Sequence, residues 1–165
     1  MTSKKAADAL NKSLEKLRPT DQDPPLNILL QVNTSGEDVK SGLPPLKLSV
    51  LSSSPGDSEL AQLAQHIILQ CPKLHLEGLM TIGSLAQSQS TTSENEDFKS
   101  LKATRDVLQP FLESEMGMAN WGKDGKLVLS MGMSSDFEAA LNAGSDIVRV
   151  GTGIFGARHM KGEAN

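Results

Sequence analysis

The segment Leu127–Arg158 alternates apolar strands with turns of small residues, and this pattern restricts the folds that the chain can adopt. It reads as a strand, a turn at Ser134–Asp136, a short helix, a second strand and then the turn GTGIFG. A continuous apolar strand is typical of a parallel sheet that is covered on both faces. We therefore predict an α/β fold in which two strand-to-helix corners lie side by side at one edge of a parallel sheet.

The preceding residues repeat the same rhythm of strands and helices. In the first helix Leu10, Leu14 and Leu17 recur at helical spacing and predict one apolar face. The predicted elements are, in order, this helix ended by Pro19, a strand at Leu26–Asn33, a helix capped by Asp57 or Ser58, a strand at Leu74–Ile82, a helix from about Glu96 to Leu112 that Pro110 bends or ends, and a strand at Lys126–Met131.

Charge and composition argue against several classes of protein. The net charge is −4 without a cluster of Lys or Arg, which disfavours a nucleic-acid surface. No apolar run approaches the ~20 residues of a membrane span, and no signal peptide follows Met1. The single cysteine, Cys71, cannot form an internal disulfide, and no Cys/His spacing indicates zinc. These features predict a cytoplasmic protein with no metal site.

The two corners have the chemistry of an anion site. Ser134 follows one strand, and Gly151 and Thr152 follow the next, with Gly153 and Gly156 close behind. Unpaired N–H groups at a helix N-terminus attract phosphate, and glycine lets the backbone approach a ligand. The alternatives are simple helix capping by Ser134 and an ordinary tight turn at the glycines. If an anion binds here, we expect the Asp136 carboxylate to point away from it.

Three ordered blocks resemble the pyridoxal phosphate homeostasis proteins, whose barrel is akin to the N-terminal barrel of alanine racemase. They are LLQVNTSGEDVKSG at Leu29–Gly42, LEGLMTIGS at Leu76–Ser84 and the segment Leu127–Arg158. The resemblance implies a partial (β/α)8 barrel containing about strands five to eight, since a complete barrel needs ~250 residues. It also implies one incomplete domain over residues 1–165: a leading helix and connector at 1–25, family-like βα units at 26–158 and a tail at 159–165.

The resemblance also implies roles for individual residues. Ser134, with Gly151 and Thr152, would hold the phosphate of pyridoxal 5'-phosphate. Independently of the resemblance, Met80, Met131 and Met133 lie at or near strand ends, where core packing is the favoured role and contact with the cofactor ring is the alternative for Met80 and Met131. Arg149 would face the pyridine nitrogen and keep it unprotonated, because a guanidinium disfavours a second positive charge nearby. An inter-strand salt bridge, for example to Asp146, is the other interpretation of Arg149.

The family lysine that binds the cofactor covalently lies on strand one, and the resemblance implies that it is absent from this chain. Lys40, in a loop that resembles the family's, is a poor substitute because nothing in the sequence indicates that it is desolvated. We also expect Asn33 to end a strand near the site, and His66 and His75 to lie at the surface or pack. His159 lies beyond the last motif, and the sequence indicates no partner for it.

The resemblance favours a cofactor-binding protein of intracellular pyridoxal phosphate homeostasis over an enzyme, with apoenzymes as its partners. A racemase of this barrel type needs a lysine and a tyrosine as opposed acid and base, and the chain contains no tyrosine. A half-barrel without its own function, which self-associates through exposed sheet edges, is the remaining alternative.

Overall fold

The chain forms helices and strands in strict alternation around one parallel sheet. The computed structural model describes residues 1–18, 23–46, 55–84, 95–117 and 120–156. The elements are α1 (Lys4–Leu17), β1 (Leu26–Gln31), α2 (Glu59–Gln70), β2 (Leu74–Met80), α3 (Glu96–Met116), β3 (Val128–Met133), α4 (Phe137–Asn142), β4 (Ile147–Arg149) and α5 (Thr152–Phe155), with a 3-10 turn at Pro55–Asp57 before α2. The predicted α/β class and the predicted order of elements are confirmed.

The sheet has four strands in the order β1-β2-β3-β4, and every neighbouring pair is parallel. Sequence order and spatial order coincide because each crossover helix returns the chain to the next position in the sheet. All carboxyl ends of the strands therefore meet at one edge, which we call the carboxyl edge, and both predicted corners lie there. Within the described residues, none of the helices is long and apolar enough to cross a membrane.

The core lies between one face of the sheet and helices α1 to α4. Leu30, Leu79 and Leu129 come from three adjacent strands, are fully buried and belong to one cluster. Leu60, Leu63 and other apolar residues of α2 cover them, as the helical spacing predicts. Ser58 begins α2 by accepting a hydrogen bond from the Ala61 N–H (3.2 Å), which supports Ser58 as the cap.

Close approach of two central strands requires a glycine at position 78. Gly78 pairs with Val128, and a Cβ atom at Gly78 would collide with the Val128 carbonyl oxygen and side chain. The register of β1 and β2 also shifts here, from Ile28 opposite Leu76 to Leu29 opposite Gly78. Because Glu77 is bypassed, the strand bulges just before its closest contact with β3.

Two details of the helices differ from the sequence prediction. The buried stripe of α1 is Ala7, Asn11 and Leu14, and Leu17 is exposed. Leu17 is the last residue of α1, so the buried face ends one turn before the end of the helix. Pro110 does not end α3, which continues to Met116. Pro110 is exposed, and the buried Leu108 and Leu112 on either side anchor the helix against the core, which offsets the lost hydrogen bond.

The two edge strands of the sheet differ in their cover. At β1, the Gln31 N–H donates to the Met1 carbonyl (3.0 Å) and the Gln31 carbonyl accepts from the Leu43 N–H (2.8 Å). At β4, which has only three residues, Ser145 and Asp146 bond inwards to β3, and no described strand pairs with its outer side. Among the described residues, the outer side of β4 is therefore the sheet edge without a paired strand.

Candidate functional site at the carboxyl edge

The hydroxyl of Ser134 joins the two corners directly. Its Oγ accepts hydrogen bonds from the Gly151 N–H (3.0 Å) and the Gly153 N–H (3.2 Å), across the ends of β3 and β4. Two backbone donors thus converge on one oxygen at a solvent-accessible surface. Ser134 does not serve as the N-cap of α4, which is Asp136. The structure therefore brings Ser134, Gly151 and Gly153 together, with Thr152 beginning α5 between the two glycines.

Space at this corner depends on the small size of Gly153. A Cβ at Gly153 would approach Ser134 Oγ to 3.7 Å and the Val150 side chain to 3.2 Å, whereas a Cβ at Gly151 would meet nothing within 4 Å. Gly153 is therefore the glycine that lies against Ser134 and Val150, while Gly151 borders open space. An oxyanion at this point would meet N–H groups and a hydroxyl, which are the groups that bind phosphate in proteins.

Asp136 turns its carboxylate back towards β3. Asp136 Oδ1 accepts a hydrogen bond from the Met133 N–H (2.7 Å) and makes no capping bond to α4. The first N–H groups of the helix are consequently not satisfied by their own N-cap side chain. This orientation agrees with the expectation that Asp136 points away from the corner.

Arg149 connects β4 to β3 and to the residue that follows β2. Nη1 donates to Ser130 Oγ (2.7 Å) and to the Ser130 carbonyl (3.2 Å), and Nη2 donates to the Thr81 carbonyl (2.6 Å). Desolvation by burial lowers the pKa of Arg149, and the negative charge of Asp136 partly opposes this shift. Asp146 instead accepts from the Leu129 N–H (2.8 Å). Arg149 is thus a fixed positive charge next to the corner, held by neutral partners.

The methionines near the site occupy different environments. Met131 is fully buried in the core cluster, a position that suits packing. Met80 and Met133 are half-buried at the carboxyl ends of β2 and β3. Of the two methionines predicted to contact a ring, only Met80 has an accessible side chain in this structure.

Lys40 and Asn33 organise the loop that follows β1. The Asn33 side chain donates to the carbonyls of Glu37 (3.0 Å) and Lys40 (3.2 Å), so its amide holds the loop together. Lys40 Nζ pairs with Glu37 Oε1 (2.7 Å) and donates to the Gly83 carbonyl (2.6 Å) after β2. Asn33 therefore braces one loop at the carboxyl edge, and the Lys40 amine connects that loop to the residues after β2.

His75 and His66 lie away from the carboxyl edge, and each bonds to a residue of another segment. His75 bonds to the Gly122 carbonyl (2.8 Å) beneath β2, and His66 pairs with Asp8 (2.6 Å) between α2 and α1. His159 lies outside the described residues.

Sequence reasoning missed two partners of Arg149, Ser130 and Thr81. Both residues are buried, and the Thr81 hydroxyl also bonds to the Thr34 hydroxyl (2.8 Å). The sequence did contain one indication of such a partner, because Ser130 is a single polar residue within an apolar strand. A buried hydroxyl needs a partner, and here the partner is a charged side chain from the next strand.

Comparison with known proteins agrees with this architecture. The model of the family described as alanine racemase, N-terminal domain, matches residues 1–159. The chain belongs to this family. The family match extends over every described strand and helix, including both corners of the carboxyl edge.

Curated relatives share a substantial part of this sequence. A mouse protein named pyridoxal phosphate homeostasis protein is 40% identical over 156 residues, which are 94% of this chain and 48% of the relative. The protein of the same name from Schizosaccharomyces pombe is 42% identical over 134 residues, covering 81% of this chain and 46% of the relative. The chain thus spans about half the length of the curated relatives that it matches.

A solved structure of a protein of unknown function from Bifidobacterium adolescentis also has a similar fold. It superimposes with a TM-score of 0.62 at 32% identity and covers 94% of this chain and 51% of that protein. The parallel sheet with its covering helices is therefore an arrangement found in an independent structure.

Proposed function

We propose that this chain binds pyridoxal 5'-phosphate and takes part in the homeostasis of that cofactor, as the names of its relatives say of them. The observation that carries the proposal is the convergence of the Gly151 and Gly153 N–H groups on Ser134 Oγ, with Arg149 fixed nearby. The residues fit the cofactor: two backbone donors, one hydroxyl and a glycine-lined corner suit its phosphate. When bound, the cofactor supplies a reactive aldehyde and an electron-withdrawing ring.

In this proposal the chain's own residues bind and orient the cofactor. The N–H groups of Gly151 and Gly153 would turn from Ser134 Oγ to phosphate oxygens. The Ser134 hydroxyl and the Thr152 N–H would add two further donors to the phosphate. Arg149, held by Ser130 and Thr81, would oppose protonation of the pyridine nitrogen. Met80 would lie against the ring, and Met131 would support β3 from the core, since it is fully buried.

We propose further that these residues correspond to about strands five to eight of a (β/α)8 barrel and form one incomplete domain over 1–165. The parallel order β1-β2-β3-β4 supports this assignment, as does the coverage of about half of each relative. The proposed boundaries are 1–25 for the leading helix and connector, 26–158 for the βα units and 159–165 for the tail. In this assignment strand one, which carries the family's covalent lysine, is not among residues 1–165.

The proposal assigns binding and transfer of the cofactor, not turnover of an amino acid, with apoenzymes as recipients and the cytoplasm as location. The relatives' names denote homeostasis and not an enzyme. A half-barrel that lacks this function is the second candidate, and it is favoured because no strand within the described residues pairs with the outer side of β4. On this view a second copy of the chain would cover that edge.

Equilibrium dialysis of the purified chain against pyridoxal phosphate and against pyridoxal tests the phosphate site. We expect the phosphate ester to bind more tightly, and Ser134→Ala to weaken its binding about tenfold, a loss of roughly 1–1.5 kcal/mol. Pyridoxal binding should not change in Ser134→Ala. The matched control is Ser135→Ala, because Ser135 is an exposed neighbour with an equal change in size. Equal binding of the two compounds, or no effect of Ser134→Ala, would refute the phosphate assignment.

Desalting after incubation tests the absence of a covalent bond. We expect the absorbance of the cofactor to be removed from the protein. If a band is retained and disappears in Lys40→Met, then Lys40 replaces the lysine of strand one and the noncovalent part of the proposal is wrong.

A further inference from the structure

Helices α1 and α2 bring together three side chains that can bind a metal ion. They lie near the amino end of β2, at the opposite end of the strands from the carboxyl edge. They are Asp8 in the middle of α1, His66 in α2 and Cys71, which caps the C-terminus of α2 just before β2 begins. His66 Nε2 lies 2.6 Å from Asp8 Oδ1, and Cys71 Sγ lies 3.9 Å from the same oxygen. All three ligand atoms lie within 4.8 Å of one another.

The donor set has the chemistry of a zinc site. A carboxylate oxygen, an imidazole nitrogen and a thiolate sulfur are the three ligand types that Zn²⁺ uses in proteins, whereas Mg²⁺ and Ca²⁺ prefer oxygen alone. In a tetrahedral zinc site the ligand atoms lie about 3.3–3.7 Å apart, given the usual zinc–ligand bond lengths. The two separations from Asp8 Oδ1, 2.6 Å to His66 and 3.9 Å to Cys71, would reach this range if the Asp8 side chain moved by less than about 1 Å. His66 and Cys71, which lie within 4.8 Å of each other, would approach by at most about 1.5 Å.

The burial of the three ligands differs in a way that suits entry of a metal. Cys71 is 1% exposed, while the side chains of His66 and Asp8 are 21% and 58% exposed. The protein therefore closes the site on the sulfur side and leaves it open on the carboxylate side. A metal ion can enter from solvent there and keep a water molecule as its fourth ligand.

Neighbouring contacts fix the register of α1 on α2. The buried Asn11 side chain accepts from the Lys73 N–H (2.9 Å) and donates to Glu15 (2.8 Å), one turn after Asp8. This bond holds α1 against the segment that follows Cys71. Asp8 consequently faces α2 without any contribution from its own pair with His66.

We propose that Asp8, His66 and Cys71 form a zinc-binding site that clamps α1 onto α2. The inference does not depend on the cofactor site, which lies at the other end of the strands. Burial and the nearby Asp8 carboxylate raise the pKa of the Cys71 thiol. Coordination forms the zinc–sulfur bond and releases the thiol proton to solvent.

Sequence motifs that rely on closely spaced metal ligands do not predict this site. Asp8 and His66 are 58 residues apart in the sequence, and they come from different helices. The expectation of no metal site rested on the absence of closely spaced Cys and His ligands, which describes zinc fingers but not a site assembled between two helices.

Titration of the metal-free chain with Zn²⁺ in competition with a chromogenic chelator tests the proposal. We expect one equivalent to bind and the midpoint of thermal unfolding to rise with zinc concentration, because only the folded chain presents all three ligands. With Co²⁺ as the probe, a sulfur-to-cobalt charge-transfer band should appear and should be absent in Cys71→Ser. A chain that binds neither ion at one equivalent would overturn the proposal.

Matched variants separate a built site from adventitious binding. Asp8→Asn preserves the shape of an exposed side chain and should weaken zinc binding about tenfold or more, as should His66→Gln. The controls are Asp106→Asn, on the exposed side of α3, and His75→Gln, and neither should change zinc affinity. Circular dichroism verifies that each variant is folded, and Asp8→Asn remains informative if Cys71→Ser does not fold. Unchanged zinc affinity in Asp8→Asn and His66→Gln would show that the metal binds elsewhere.

Discussion

The first three strands and the last strand–helix unit are built differently. β1, β2 and β3 each contribute fully buried leucines to a core covered by α2 and α3, whereas β4 has three residues and is followed by the four-residue helix α5. Ile154 and Phe155 of α5 are largely exposed, Phe155 to 86%. Yet this lightly packed unit supplies Arg149, Gly151 and Gly153. The region that holds the candidate chemistry is therefore not the region that stabilises the fold.

The largest expected effect on stability is in the packed part. Leu129→Ala removes a fully buried side chain from the centre of β3 and should lower the free energy of unfolding by about 2–5 kcal/mol. Ile154→Ala truncates an exposed side chain and should change it by less than about 0.5 kcal/mol. Urea denaturation of both variants measures the difference. Similar losses in the two variants would mean that α5 packs in solution against something, and the contrast between the regions would fail.

An intermediate effect is expected where Arg149 connects the two regions. Arg149→Lys keeps the positive charge, but a single ammonium group cannot reach both Ser130 and the Thr81 carbonyl. At least one of these two acceptors therefore loses its hydrogen bond. We expect a loss of about 1–2 kcal/mol in the free energy of unfolding. Arg105→Lys, which alters an exposed pair with Asp106 on α3, is the matched control and should be near zero. No loss in Arg149→Lys would indicate that β4 is held by Ser145 and Asp146 alone.

The smallest effect on stability, and a distinct effect on association, is expected at Phe155. Phe155→Ser should leave the unfolding midpoint in urea unchanged, because the side chain is already in solvent. If the open side of β4 recruits a second copy, the wild-type chain should sediment as a concentration-dependent mixture and Phe155→Ser should shift it towards monomer. A wild-type chain that is monomeric over the whole concentration range would contradict self-association.

The same division explains what the sequence could predict. Buried elements could be predicted from the apolar runs of β1 and β2 and from the spacing of Leu60, Leu63 and Ile67 in α2. The reason is that a helix or strand with a buried face repeats apolar residues at the period of its backbone. Ser134 and the glycines were predicted from their position after strands, and the structure brings them together.

Contacts between residues that are distant in the sequence could not be predicted from periodicity. Nothing periodic indicated that Arg149 would reach Thr81, 68 residues earlier, or that Lys40 would bond to the Gly83 carbonyl. These bonds depend on which strands become neighbours, which is a property of the sheet and not of any one segment. The exposure of Leu17 was not predicted for a related reason. Helical periodicity indicates which face of a helix is apolar, but not how much of the length of that face is covered by other elements.

The contact between Gly78 and Val128 also bears on how this sequence can vary. Every amino acid other than glycine has a Cβ atom, so every missense change at position 78 places an atom where the Val128 carbonyl oxygen already lies. No conservative replacement exists there, in contrast to Gly151, where a Cβ would meet open space. Among natural variants and in a saturation library, position 78 should be closed to all alternatives while Gly151 accepts small ones. A residue without a side chain would then be the least replaceable position in the sheet.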